Sequence, residues 1–136
     1  MNRIDSIPVD VQGTASLTGN LVPLLHELHH ALKTFVETGT THSIDLNSLP
    51  MAPAENERLE RLLGSGEIRA QLQALGNSDI DETGIPGVWC VTHRNADGAV
   101  VARLLEITDC PAILKAQRQD LTDGVQRLEQ LIGDEV

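Results

Sequence analysis

The sequence contains very few aromatic residues and cysteines. Phe35 and Trp89 are its only Phe, Tyr or Trp residues, so aliphatic side chains must form the core, and no set of rings is available to stack on single-stranded nucleic acid. Cys90 and Cys110 form neither a CxxC motif nor a disulfide framework, which favours a reducing, cytoplasmic setting. No apolar run approaches the ~20 residues that span a bilayer, and the first residues do not resemble a signal peptide. We therefore expect no membrane partner.

Basic residues are also scarce. The chain has 20 Asp and Glu against 10 Lys and Arg, a formal net charge of −10. A surface with this charge repels phosphate backbones and anionic lipid and favours a basic partner, so we expect no nucleic-acid partner. A length of 136 residues is typical of one domain. We predict a loose arm over residues 1–17 and a single domain over residues 18–136.

Hydrophobic periodicity predicts the α+β class. The expected architecture is an antiparallel sheet of about four strands with helices packed on one face, because most links between strands are too short for parallel crossovers. Residues 76–84 are polar and rich in turn formers, so they are predicted as a loop. The predicted order is α-β-α-β-β-β-α-α: helix 20–38, strand 41–46, helix 53–63, strands 67–74, 85–94 and 99–108, and helices 109–117 and 120–132.

The stretch "LLHELHH", residues 24–30, combines an apolar stripe with histidines. His26 and His30 lie almost opposite the leucines of the predicted helix, and His29 lies at the border. Histidines at i and i+4 can hold Zn²⁺ or Ni²⁺, but two ligands are too few for a structural site, and the spacing is not HExxH. We therefore predict no metal site, and a solvated or partner-facing surface at His26 and His30.

Four other residues have both a structural and a functional interpretation. Cys110 precedes Pro111 at a predicted helix N-terminus, where the helix dipole favours a reactive thiolate or a soft metal ligand; a structural role is the alternative. Trp89 is expected in the core, with an interface anchor as the alternative. His42 and His93 are expected to be hydrogen-bonded residues near strand ends, with a catalytic role as the alternative. No P-loop, GxSxG elbow or marked acid/base pair is present, so no catalytic residue is predicted.

Several segments together resemble the HupH/HyaF hydrogenase expression proteins, which are encoded with uptake [NiFe] hydrogenases. The similarity covers most of residues 20–133, and "LLGSGEI" and "TGIPGVW" are its most specific parts. The family-motif positions are Gly64 and Gly66 in the first, Pro86 to Trp89 in the second, and Cys110. The other matching segments are "LLHELHHAL", "HSIDLNSLP" and "LEITDCPAIL".

The resemblance implies a non-enzymatic, chaperone-like role in hydrogenase maturation without a cofactor of its own. The implied partners are the iron–sulfur small subunit or its precursor and other maturation proteins. The expected partner-binding residues are His26, His30, Pro86, Gly87 and Trp89. Longer family members carry two copies of this unit, so a homodimer is one way for this chain to rebuild the pair. The alternative is a metal or Fe–S cluster carrier that uses Cys110 and the surface histidines.

Overall fold

The structure is a computed structural model that describes residues 17–136. Except for Leu17, the predicted arm lies outside the described residues. Two short 3₁₀ turns, Leu46–Ser48 and Ala112–Leu114, interrupt the connections between the main elements. The helices and strands are α1 (Leu21–Thr38), β1 (His42–Asp45), α2 (Pro53–Leu63), β2 (Arg69–Leu72), β3 (Ser78–Glu82), β4 (Val88–Arg94), β5 (Val100–Ile107) and α3 (Arg118–Glu135).

The strands form one antiparallel sheet in the order β1-β5-β4-β3-β2. The predicted α+β class is therefore confirmed, but the sheet has five strands instead of about four. The additional strand is β3, in the segment predicted as a loop. Its Ile80 pairs with Val91 of β4 and Ala70 of β2, while Asp79 and Asp81 point to the other side. Backbone pairing on both edges forms a strand where the residue types alone do not predict one.

The helix predicted over residues 109–117 is wrong. This segment contains only the 3₁₀ turn Ala112–Leu114, closed by i→i+3 bonds from Leu114 to Pro111 and from Lys115 to Ala112. Pro111 and Lys115 both have extended ψ angles of 136°, and Pro111 is fully buried. The extended backbone at Lys115 therefore ends the segment after a single turn, and the final helix starts at Arg118.

The two faces of the sheet carry separate apolar clusters. On one face, α1 and α2 cover the ends of β1, β4 and β5, and this cluster is the main core. On the opposite face, a smaller cluster of Ile80, Trp89 and Val91 is also buried. The buried members of the main core are Leu24, Leu28, Ala31, Ile44, Leu46, Leu59, Leu63, Val88, Leu105 and Ile107.

A buried carboxylate joins the beginning of the domain to α2. Glu55 Oε1 accepts hydrogen bonds from the Ala52 N–H (2.8 Å) and from the Thr18 N–H and hydroxyl, and Oε2 accepts one from the Gly19 N–H. The Ala52 N–H, supported by these other donors, lowers the pKa of Glu55 below its ordinary value of 4.5 and outweighs the opposing effect of burial. The ionised form is therefore the one that the fold stabilises.

We predict an acid-sensitive contribution of Glu55 to stability. Because the pKa of Glu55 is lower in the folded state, its contribution is present above pH 4.5 and is lost as the pH falls below that value. Between about pH 6 and pH 3, the Tm of Glu55→Gln should therefore fall by less than that of the unmodified chain. Glu57→Gln is the matched control, because Glu57 is exposed on the same helix. If the Tm falls equally with pH for the unmodified chain and for Glu55→Gln, this assignment is contradicted.

Candidate functional site

The two most specific sequence motifs meet in the structure. The glycine turn, Gly64–Gly66, follows α2 and contacts the segment between β3 and β4. The Gly66 N–H donates to the Glu82 carbonyl (2.8 Å), and the Gly84 N–H donates to the Leu63 carbonyl (2.7 Å). Segments about 20 residues apart in the sequence therefore form one backbone-linked unit beside the C-terminus of α2.

Glycine is required at both ends of this turn, for different reasons. Gly64 has φ 66° and ψ −161°, a region that residues with a side chain rarely adopt. At Gly66, a Cβ atom would lie 2.5 Å from Glu82 Oε1 and 2.6 Å from the Thr83 carbonyl oxygen. The first glycine therefore reverses the chain, and the second permits close contact between the motifs.

The second motif is held from inside the domain. The Thr83 hydroxyl donates to the Val88 carbonyl (2.7 Å), which closes the loop between them. Gly87, with φ 91°, lies against Leu32 of α1, and its carbonyl accepts a bond from the Thr108 N–H (3.0 Å). This loop therefore links α1, the glycine turn and the end of β5.

A cleft of about 410 Å³ lies between α2, the glycine turn and the helix-covered face of the sheet. Arg103 donates to Glu60 of α2 (3.3 Å), and Arg69 donates to Asp81 (3.3 Å). Cys90 also lines the cleft. Both of these arginines are therefore paired with carboxylates at the walls of the cleft.

The structure does not bring the five predicted partner-binding residues onto one surface. His26 and His30 are exposed on α1, and Pro86 is exposed on the loop before β4. Gly87 is half-buried. Trp89 is 5% exposed in the small cluster on the opposite face of the sheet, and its indole N–H donates to the Thr108 carbonyl (3.1 Å). Of the two interpretations of Trp89, the structure therefore shows core packing.

The outward face of α1 includes a histidine that the helical-wheel prediction placed at the border. His29 is exposed, as are Val22 and Val36, which are 59% and 76% exposed. Helical spacing aligns them in one stripe with two further exposed residues. We call this stripe the α1 outer face; its residues are Val22, His26, His29, Lys33 and Val36.

Cys110 is half-buried in a loop and not at a helix N-terminus, so the dipole argument for its reactivity fails. Its N–H donates to the Thr108 hydroxyl (3.3 Å), and its thiol lies 3.8 Å from the Pro111 carbonyl oxygen. A shallow cavity of about 450 Å³ beside it is also lined by His42 and Glu106. Within residues 17–136, no three His, Cys, Asp or Glu side chains come close enough together to hold a metal ion.

The other two histidines are hydrogen-bonded within the fold. His42 lies on the edge strand β1, and its Nε2 atom is 3.0 Å from Glu27 Oε2 of α1. His93 Nδ1 lies 2.7 Å from the Ser78 hydroxyl on the neighbouring strand. Both histidines therefore join elements of the domain.

Comparison with known proteins defines the class to which this arrangement belongs. The family model "HupH hydrogenase expression protein, C-terminal conserved region" matches residues 19–134, which include both motifs, α1, α2 and all of α3 except Glu135. The solved structure of the hydrogenase expression protein HupH from Thiobacillus denitrificans is similar, with a TM-score of 0.81 and 40% identity over 86% of this chain and 98% of that chain. These matches place the chain among the hydrogenase expression proteins.

Sequence relatives agree with this class. The hydrogenase expression/formation protein HoxQ of Azotobacter vinelandii is 32% identical over 114 residues, which are 82% of this chain and 40% of that protein. The Hydrogenase-1 operon protein HyaF of Escherichia coli K12 is 32% identical over 112 residues, 82% of this chain and 39% of that protein. The chain belongs to the HupH hydrogenase expression protein family, and it spans about 40% of the length of these relatives.

One further observation concerns membranes. No helix that the structure describes is both long and apolar enough to cross a bilayer.

Proposed function

We propose that this chain is a non-enzymatic, chaperone-like accessory factor in the maturation of an uptake [NiFe] hydrogenase. It acts in the cytoplasm and binds the iron–sulfur small subunit or its precursor. The observation that carries this proposal is the family match over residues 19–134, together with the 40% identity to a HupH protein whose solved chain is covered almost completely. The match supports a role in hydrogenase formation, and the small subunit is the partner that we infer.

The α1 outer face supports a binding role because it combines exposed apolar and imidazole groups. The exposed Val22 and Val36 are apolar at its two ends, and His26 and His29 lie between them. Rings and aliphatic groups displayed on a rigid helix lose little conformational entropy when they are buried by a partner. His30, next to this stripe, lines a shallow cavity with Glu27 and His42 and extends the surface toward β1.

The net charge supports the choice of a basic segment of the precursor. At a formal charge of −10, the chain attracts cationic polypeptide over distances of about a Debye length, ~8 Å at physiological salt. A twin-arginine export signal has this chemistry. We infer that long-range attraction brings the precursor to the domain and that the α1 outer face provides the close contact.

The proposal predicts that the precursor co-purifies with the tagged chain from cells that make the hydrogenase. The variant His26→Ala/His30→Ala should recover several-fold less precursor, because each truncation removes exposed contact area from the binding helix. Gln71→Ala/Gln73→Ala is the control: both residues are exposed at the β2 edge of the sheet, and the recovery should not change. Recovery should also fall as salt is raised.

Two results would count against this proposal. If the precursor is absent from the purified material at low salt and low oxygen, the inferred partner is wrong. If it is present but equally abundant with the histidine variant and the control, the partner is correct and the surface is wrong.

A further inference from the structure

The last helix of the domain displays an apolar stripe that nothing in residues 17–136 covers. Leu121, Val125, Leu128 and Ile132 are each 58–64% exposed, and no residue of α3 is buried. The hydrogen bonds made by side chains of α3 within the described chain all stay inside the helix. Apolar stripes of this kind commonly mark interaction sites.

The spacing of the stripe is that of a helix-pairing seam. Its residues are four, three and four positions apart, which is the a/d pattern of a coiled coil over two heptads. The family model extends to residue 134, so the helix belongs to the unit that the family shares. The seam therefore has the spacing to pair with one helix of similar length.

We propose that α3 pairs antiparallel with α3 of a second copy of this chain. The seam is symmetric about the midpoint between Gln126 and Arg127. A two-fold axis at that point places Leu121 opposite Ile132 of the second copy, and Val125 opposite Leu128, as an isologous interface requires. Every a/d seam of four residues has this symmetry, so it permits pairing with a second copy, and the charges at the two ends of the helix favour that pairing.

The charges select the antiparallel orientation. Arg118 is the first residue of α3 and Glu135 is the last, and both continue the seam beyond its apolar part. Antiparallel pairing places each Arg118 opposite Glu135 of the second copy, whereas parallel pairing places like charges together. It also sets the helix dipoles in opposition, which is favourable. Gly124, with open space around it, lies beside the seam and leaves room for Leu131 of the second copy.

The seam is short, so the dimer is expected to be weak. Two helices of about 27 Å that pair along two heptads form an interface at the lower end of the specific size range. We therefore expect a dissociation constant in the micromolar range. This inference does not depend on the proposed function, because it concerns the purified chain alone.

Sedimentation equilibrium of the full chain, from about 5 to 500 μM, tests the proposal in a range that brackets a micromolar constant. The average mass should rise from the monomer value of 14.7 kDa toward twice that value. Leu128→Glu should remain monomeric at all concentrations. Gln130→Glu, which changes the charge equally on the opposite side of α3, should dimerise like the unmodified chain.

A charge exchange tests the orientation. Arg118→Glu and Glu135→Arg should each weaken the dimer several-fold. The double variant should restore it, because residue 118 of each copy then again lies opposite a residue of opposite charge at position 135. A chain that stays at 14.7 kDa at the highest concentration overturns the proposal. So does a dimer that Leu128→Glu leaves intact. A double variant no better than the single ones overturns the antiparallel register.

Discussion

Replacing Ile80 with alanine is expected to lower the free energy of unfolding by about 2–5 kcal/mol, the largest single-residue effect we predict. Ile80 is completely buried in β3, between the paired residues Val91 and Ala70. It packs in the small cluster with Trp89, on the face of the sheet opposite the helices. Because this cluster contains few other side chains, little material is available to fill the cavity that the substitution would leave.

Urea denaturation followed by circular dichroism measures this effect. Leu72→Ala is the matched control, because Leu72 lies on the same face of the neighbouring strand but is 42% exposed. Leu72→Ala should lower the free energy of unfolding by less than about 1 kcal/mol. Similar losses for the two variants would show that the second face of the sheet is not a core.

Replacing Gly66 with alanine is expected to lower the free energy of unfolding by about 2–3 kcal/mol. The added methyl group would meet the Thr83 carbonyl oxygen at 2.6 Å as well as the Glu82 side chain. The side chain can rotate away, but the carbonyl belongs to the backbone that pairs with the glycine turn. The two motifs must therefore separate, and the bond from the Gly66 N–H to the Glu82 carbonyl would be lost.

Gly133→Ala is the control for this substitution. Gly133 lies in α3 with open space around its Cβ position, so alanine there should be neutral or should stabilise the helix by up to about 1 kcal/mol. Thermal unfolding of both variants separates steric conflict from a general cost of replacing glycine. A Gly66→Ala variant as stable as the unmodified chain would show that the motifs do not contact each other as described.

The first two helices were predictable because their signal is local. Apolar spacing predicted a first helix over residues 20–38, and the structure has Leu21–Thr38; residues 53–63 form the second helix as predicted. Gly39, in the left-handed conformation after the first helix, closes it with a bond to the Phe35 carbonyl. Leucine spacing and a terminal glycine are sufficient for such elements.

Strand β3 was not predictable in this way, because its stability comes from its neighbours. Asp79 and Asp81 are poor strand formers, but the structure pairs them with Gln71 and Arg69 across the sheet at 3.1 and 3.3 Å. Ile80 is the only apolar residue of the strand, and a single apolar residue cannot show the alternation that indicates a strand. The misprediction at residues 109–117 has the same origin, since the burial of Pro111 is a tertiary effect.

The residues of the candidate site were predictable from the sequence, but their spatial arrangement was not. The sequence motifs identify Gly64, Gly66 and Pro86 to Trp89 separately, and nothing in their spacing shows that the glycine turn contacts Thr83 and Gly84. Exposure separates residues that the sequence groups together: Trp89 is buried on one face of the sheet, while His26 lies on a helix that packs on the other face.

The most direct test of the proposed function is the binding of the purified chain to the purified small-subunit precursor, measured by titration calorimetry. The purified hydrogenase large subunit serves as the comparison. The proposal predicts saturable binding of the precursor, weakened by His26→Ala/His30→Ala and by added salt, with no binding of the large subunit. Binding of the large subunit alone, or of neither subunit at concentrations up to about 100 μM, would contradict it.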